Sequence, residues 1–137
     1  MPEELPQDLL RAAHGAQSRA YAPYSHFPVG AALRLPDGSI VAACNVENAS
    51  YGLSMCAERS AAFAAVASGA RAFTEALVVG ETAGPVPPCG ACRQVLLEFM
   101  DEAAPVWLVG QGDIWRRTSL AELLPQAFSP RDLGAQG

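Results

Sequence analysis

The spacing of apolar and polar positions divides the chain into short elements of two kinds. Leu9, Leu10, Ala13, Ala16 and Ala20 recur at helical spacing and Pro6 suits a first-turn position, so the pattern predicts a helix over Pro6–Ala20. Ala22-Pro23-Tyr24-Ser25 breaks it. Val29–Leu35 and Ser39–Cys44 predict two strands, with Pro36-Asp37-Gly38 as the hairpin turn between them. Asn45–Met55, rich in Asn, Ser and Gly, predicts a loop. The run Ala61-Ala62-Phe63-Ala64-Ala65-Val66-Ala67 predicts a helix over Glu58–Gly69 with no polar face. Such a helix is buried on more than one side, and in a chain this short that points to packing against a second subunit.

Ala76–Val79 predicts a short buried strand. Glu81–Pro88, stiffened by Pro85, Pro87 and Pro88, is a loop that delivers Cys89 to a helix over Gly90–Met100, with Val95, Leu96 and Phe99 toward the core. Val106–Val109 and Ile114–Thr118 predict strands around a Gln111-Gly112-Asp113 turn. Ser119-Leu120-Ala121-Glu122 fits a capping box for a short helix stopped by Pro125, and the polar tail after Phe128 is expected to be loosely ordered. Strands interleaved with helices predict an α/β layered domain.

Composition narrows the function. At 137 residues, the expectation is one domain over 1–137. The uncharged stretch Ser60–Ala70 is too short to span a bilayer. Met1-Pro2-Glu3-Glu4 is acidic and unlike a secretory signal, which leads to the expectation of a cytoplasmic protein. Net charge is −5, and the nine basic residues are all Arg, scattered from Arg11 to Arg131 with only Arg116-Arg117 adjacent. A polynucleotide binder needs a basic stripe to meet phosphates. None is visible. Neither nucleic acid nor membrane is the expected partner; a small, roughly neutral molecule is.

The candidate chemistry lies in the cysteines. Cys56-Ala57-Glu58 and Pro88-Cys89-Gly90-Ala91-Cys92 together offer three soft anionic ligands, which suit zinc and leave a fourth tetrahedral position open. Glu58, not needed as a ligand, is free to move protons. Both cysteine motifs fall at predicted loop-to-helix junctions, where unpaired N–H groups and the helix dipole favour thiolates. Three thiolates would leave a zinc site net negative, so one or both of Arg59 and Arg93 are expected to donate hydrogen bonds to the sulfurs. A structural zinc knot would need a fourth ligand; Cys44 could supply it but reads better as a small buried hydrophobe. His14 and His26 read as surface residues. A thioredoxin-type redox role for the CxxC would leave Cys56 and Glu58 unexplained.

These motifs resemble the small, homotetrameric cytidine deaminases, with Cys in the place of the first His of other zinc deaminases. The resemblance extends over Ala22-Pro23-Tyr24-Ser25, Phe27-Pro28-Val29-Gly30-Ala31-Ala32, Asn45-Val46-Glu47-Asn48-Ala49-Ser50-Tyr51, Cys56-Ala57-Glu58-Arg59, Pro88-Cys89-Gly90-Ala91-Cys92-Arg93-Gln94 and Glu122-Leu123-Leu124-Pro125 with Phe128. It implies a three-layer fold, a central mixed sheet of about five strands flanked by helices. It implies a hydrolase that deaminates cytidine and deoxycytidine, in pyrimidine salvage, with one zinc per subunit on Cys56, Cys89 and Cys92. Glu58 would take a proton from water, pass it to ring N3 and then protonate the departing amine. Asn45 and Glu47 would hold the ribose 3′-hydroxyl, Phe27 would pack on the pyrimidine, and the main chain at Ala57 would meet the polar edge of the base. Ala49, Tyr51 and Phe128 would come from neighbouring subunits, and Arg59 would balance the thiolate charge. A blasticidin-type nucleoside-antibiotic deaminase, a polynucleotide deaminase and a catalytically idle zinc module are the competing readings. The sugar loop disfavours the first, the lack of basic surface the second, and the intact Glu58 the third.

Overall fold

Alternation along the strands separates two apolar surfaces. In the computed structural model, which describes residues 4–134, β1 (Val29–Arg34), β2 (Ile40–Cys44), β3 (Glu75–Gly80), β4 (Val106–Val109) and β5 (Trp115–Thr118) form one mixed sheet in the order β2-β1-β3-β4-β5. Only β3 and β4 run parallel; the other neighbours are antiparallel. Ala32, Leu77, Val79, Trp107 and Val109 face α1 (Gln7–Gln17), which buries Leu9, Leu10, Ala13 and Ala16 against them. Ala31, Leu33, Ala76, Val78, Val106 and Leu108 face the opposite layer, formed by α2 (Ala57–Ala67) and α3 (Gly90–Phe99). This is the three-layer α/β arrangement expected. Leu9, Leu33, Leu77, Leu96 and Leu120 are fully buried, and each contributes about 1.5–3 kcal/mol through transfer from water.

Two contacts set how closely the helices approach the sheet. A Cβ on Gly30 would lie 2.0 Å from the Ala13 carbonyl oxygen, so glycine is what lets α1 seat on β1. On the other face, Ala57, Ala61, Ala62 and Ala65 are all fully buried. Their small side chains bring α2, and with it the start of the helix, close to the sheet. The outer side of α2 stays apolar and open: Phe63 is 48% exposed, and Ala64 and Ala67 are exposed too.

Several element ends differ from the sequence expectation. Pro6 is the N-cap of α1, not a first-turn residue, and its carbonyl accepts from the Leu10 N–H at 3.0 Å. The helix ends at Gln17 and leaves Ala20 outside it, where the backbone tightens to i→i−3 bonds, Arg19 N–H to the Ala16 carbonyl and Ala20 N–H to the Gln17 carbonyl. Ser119 caps α4 (Leu120–Leu123) by accepting from the Glu122 N–H, but the reciprocal capping box lies at Ser129 and Asp132. That box orders Pro130–Leu133 as a 3-10 turn closed by left-handed Gly134, so the loosely ordered tail is corrected through residue 134. The acidic start at Met1-Pro2-Glu3 and the last three residues lie outside the described residues. Among those described, no helix is long and apolar enough to cross a membrane.

Candidate active site

Both cysteine motifs sit at helix starts, as their sequence context predicted. Cys56 is the N-cap of α2 and Cys89 the N-cap of α3, where the first-turn N–H groups have no partner inside the helix. Cys92, one turn into α3, is buried, and its N–H donates to the Cys89 sulfur at 3.4 Å. Cys56 Sγ lies 3.6 Å from Cys89 Sγ, Cys89 Sγ lies 3.2 Å from Cys92 Sγ, and all three sulfurs fall within 4.8 Å of one another. A tetrahedral zinc with Zn–S bonds of about 2.3 Å would hold its sulfurs about 3.8 Å apart. Separations of 3.2 and 3.6 Å, with the third within 4.8 Å, span that value, so the trio fits zinc. Cys44, at the end of β2, is a half-buried free thiol outside the cluster.

Electrostatics at the trio favour a bound cation. The Cys56 thiol is drawn down to about 5, first by a hydrogen bond with Cys92 and then, against burial, by Arg59. That same bond to Cys56, together with burial and the Glu58 charge, pushes Cys92 up. Protons alone thus leave part of the trio neutral, and a divalent ion replaces them. Arg59 Nη2 lies 3.5 Å from Cys56 Sγ, and its Nε is buried with no acceptor among the described residues. Arg93 makes no such contact. Its Nε donates to the Pro88 carbonyl at 2.9 Å and its Nη1 to the Leu123 carbonyl at 2.7 Å. The last carbonyl of α4 is an orphan acceptor, and it captures the guanidinium that adjacency to Cys92 had suggested for the thiolates.

Glu58, in the first turn of α2, is 6% exposed. Burial raises its carboxyl above the ordinary range, and the Cys56 charge adds to the effect. One side of Glu58 borders an apolar void of ≈ 10 Å³ walled by Ala31, Leu33, Val78, Leu96 and Val106, too small and too apolar to hydrate it. Its other side lines a cleft of ≈ 250 Å³ that also reaches Cys56, Ala57 and Cys89. A carboxyl whose pKa burial raises, dry on one side and open to a cleft on the other, is placed to take up and release a proton.

At the far end of the same cleft lie Phe27, Asn45 and Glu47. Buried Asn45 accepts from the Val29 N–H at 2.9 Å and donates to the Phe27 carbonyl at 2.9 Å, so it clamps the backbone on either side of Pro28. Glu47 accepts from the N–H groups of Tyr24 and Ser25 at 3.0 and 3.1 Å and from the Ser25 hydroxyl. Val29, Val78, Val86 and Pro87 complete the wall. The sequence did not single out these four as site residues, since Val29 and Val78 look like any strand valine and Val86 and Pro87 lie in the loop before Cys89. Ser25 was quoted only as part of a helix break. Ala49, Tyr51 and Phe128 do not line this cleft. Tyr51 and Phe128 are 73% and 58% exposed, and Tyr51 borders an adjoining recess together with Tyr24, Ser25 and Glu47. His14 and His26 lie at the surface away from the sulfurs; His14 pairs with Asp113 at 2.8 Å.

The family described as cytidine and deoxycytidylate deaminase zinc-binding region matches residues 3–107. A cytidine deaminase from Sporosarcina psychrophila is 51% identical over 93% of each chain, and one from Halalkalibacterium halodurans is 49% identical over 93% of this chain and 96% of its own. The crystal structure of cytidine deaminase from Burkholderia pseudomallei superposes with a TM-score of 0.87 at 51% identity, over 91% of this chain and all of that one. That from Mycobacterium tuberculosis gives 0.76 at 40% identity, over 89% and 95%.

Proposed function

The chain belongs to the zinc-binding cytidine and deoxycytidylate deaminase family, and from that premise we propose that Glu58 carries the protons while the cleft orients a free nucleoside for hydrolysis. The reaction is cytidine plus water giving uridine plus ammonia, with deoxycytidine handled alike. The observation that carries the residue assignment is the buried carboxyl of Glu58, which shares one cleft with Cys56 and Cys89, two of the three converging cysteines.

Cys56, Cys89 and Cys92 hold zinc, which when bound supplies the Lewis acidity that makes water a nucleophile at neutral pH. Arg59 draws negative charge off Cys56. Phe27 packs on the pyrimidine, and the N-terminal backbone of α2 at Ala57 meets its polar edge. Glu58 takes a proton from water and delivers it to ring N3, which makes C4 electrophilic. The hydroxide left by that water adds to C4; as the new C4–O group becomes a carbonyl, Glu58 takes its proton and delivers it to the amino group, the C4–N bond breaks, and ammonia leaves as a neutral molecule. One carboxyl serves as base and then as acid. Glu47, ionised and acceptor-only, takes the sugar 3′-hydroxyl, with Asn45 beside it. A 5′-phosphate would meet the Glu47 charge, so the substrate is the nucleoside.

The protein acts as a cytoplasmic homotetramer whose sites borrow Ala49, Tyr51 and Phe128 from neighbours. Two features support assembly: the open apolar side of α2 around Phe63, and the large exposed rings of Tyr51 and Phe128. Three free thiols gathered for a metal suit a reducing compartment. The chain is expected to act as one domain in pyrimidine salvage.

The test follows ultraviolet absorbance of the zinc-loaded protein with cytidine, deoxycytidine and cytidine 5′-monophosphate. Turnover of the two nucleosides is expected, with little on the monophosphate. Glu58→Ala should keep its zinc and lose at least ~10²-fold in turnover. Near-normal rates in that variant would refute the role of Glu58, and equal rates on the monophosphate would refute the charge argument.

A further inference from the structure

The hydrogen-bond network at the sugar end turns on a residue to which no role has been given. An ionised carboxylate offers about four acceptor positions. Glu47 Oε1 uses two on the Tyr24 and Ser25 N–H groups, and Oε2 uses one on the Ser25 hydroxyl. One position on Oε2 is left, on a side chain that lines the cleft. The Ser25 oxygen in turn accepts from the Phe27 N–H at 3.1 Å. A single hydroxyl thereby ties the direction of the last free Glu47 lone pair to the backbone of the residue beneath the base. Between Ser25 and Phe27, His26 stands at φ 56, a left-handed conformation uncommon for a residue other than glycine. The surrounding bonds keep the chain in that turn: His26 N–H to the Ala22 carbonyl at 3.0 Å, Asn45 to the Phe27 carbonyl and the Val29 N–H on either side of Pro28, and Ser25 on Glu47.

We propose that Ser25 is a positioning residue that sets selectivity for nucleosides bearing a 3′-hydroxyl, by fixing the Glu47 carboxylate so that its remaining acceptor position points at that hydroxyl. The proposal rests on the reading of Glu47 as the acceptor for the sugar. Without the Ser25 hydroxyl, Oε1 keeps its two backbone bonds but Oε2 has two open positions, which water fills, and the carboxylate pivots about its anchored oxygen. The Glu47 carboxyl is held below the usual carboxylate range chiefly by the Ser25 hydroxyl, in keeping with an ionised acceptor.

The experiment compares kcat and KM for cytidine and for 3′-deoxycytidine, which lacks only the group in question. The intact protein should prefer cytidine by about tenfold or more in kcat/KM, the effect of one hydrogen bond to a charged group. In Ser25→Ala that preference should shrink toward unity, through a higher KM for cytidine and with little change in kcat. Turnover of 3′-deoxycytidine in the same variant reports that the protein has folded. Ser25→Thr, which keeps the hydroxyl, should restore the preference. A preference unchanged in Ser25→Ala overturns the proposal, as does one lost equally in Ser25→Thr. Glu47→Gln separates the two levels. If it leaves the preference intact, Glu47 does not read the 3′-hydroxyl, and the underlying reading fails together with the proposal. If it abolishes the preference while Ser25→Ala does not, only the role of Ser25 fails.

Discussion

The two ends of the cleft are built by opposite means. At the metal end every group leaves the start of a helix that is packed on the sheet: Cys56 and Cys89 as N-caps, Glu58 and Cys92 within the first turn. Buried neighbours hold them, and Cys92 and Ala57 are fully enclosed. At the sugar end the groups leave a strand exit and a loop. Ser25 is exposed and Glu47 half-buried, and their side-chain hydrogen bonds go to one another and to the N–H groups of Tyr24, Ser25 and Phe27. The difference teaches that helix starts fix groups within one chain while loop groups fix one another. Metal chemistry needs sulfurs fixed to tenths of an ångström, which rigid elements provide. Sugar recognition is left open at the surface, next to the exposed rings of Tyr24 and Tyr51, whose centroids lie 5.8 Å apart.

The strongest way to break this contrast is at the metal end. Cys92→Ala should lose zinc and cytidine turnover together, and its melting temperature should fall because the stabilisation contributed by the bound ion is gone. Metal content and calorimetry check this; a variant that still holds one zinc per chain would contradict the assignment of Cys92. Asn45→Ala is the matching change at the sugar end. It strands the Val29 N–H and the Phe27 carbonyl, which should cost about 1–3 kcal/mol in denaturant unfolding. Zinc content should stay normal, and the kinetic loss should fall mainly on KM. Loss of zinc in Asn45→Ala would show that the two ends are not separable.

The smallest effect belongs far from both ends. The Arg34 guanidinium makes paired bonds to Asp8 at 2.7 and 2.9 Å and one to Glu75 at 2.9 Å, joining α1 to the edge of the sheet core. The hydrogen bond from Arg34 holds the Asp8 carboxyl below its ordinary value of 3.8. A carboxyl depressed in the folded state adds stability that is complete above its unfolded pKa and is lost as pH falls through the folded one. Asp8 is half exposed, so solvent screens the pair, and Asp8→Asn should lower stability by about 0.2–1 kcal/mol near neutrality. The difference from the parent protein should vanish at strongly acidic pH. Zinc content and kinetics should not change, and a shift in either would tie α1 to the site.

The same contrast governs what the sequence could reveal. Cys56-Ala57-Glu58 and the Cys89/Cys92 pair are legible because a helix start packs ligand, spacing and dipole into a few consecutive residues. The alternation in β1, β3 and β4 is likewise local, so the layers could be read directly. Glu47 was different. Its partners Tyr24 and Ser25 lie 23 and 22 residues away, and no local pattern joins a carboxylate to backbone N–H groups across a loop. Only resemblance to a known family pointed to it. The choice between Arg59 and Arg93 stayed open for a related reason: proximity to Cys92 in sequence could not show that the end of α4, 30 residues on, offers Arg93 another acceptor. Pro130–Leu133 read as tail because its cap, Ser129 with Asp132, encloses no apolar run.

In the proposed homotetramer, one chain completes the metal end while a neighbour completes the sugar end. Co-expression of Glu58→Ala chains with chains carrying Tyr51→Ala and Phe128→Ala tests it most directly. Each variant alone should turn over cytidine poorly, the first for want of the proton carrier and the second for want of the neighbour's rings. In mixed assemblies isolated through two different tags, an intact Glu58 meets intact Tyr51 and Phe128 from the other chain, and turnover should rise well above the average of the two parents. Mixed assemblies that form, bind zinc and stay at that average would contradict the account.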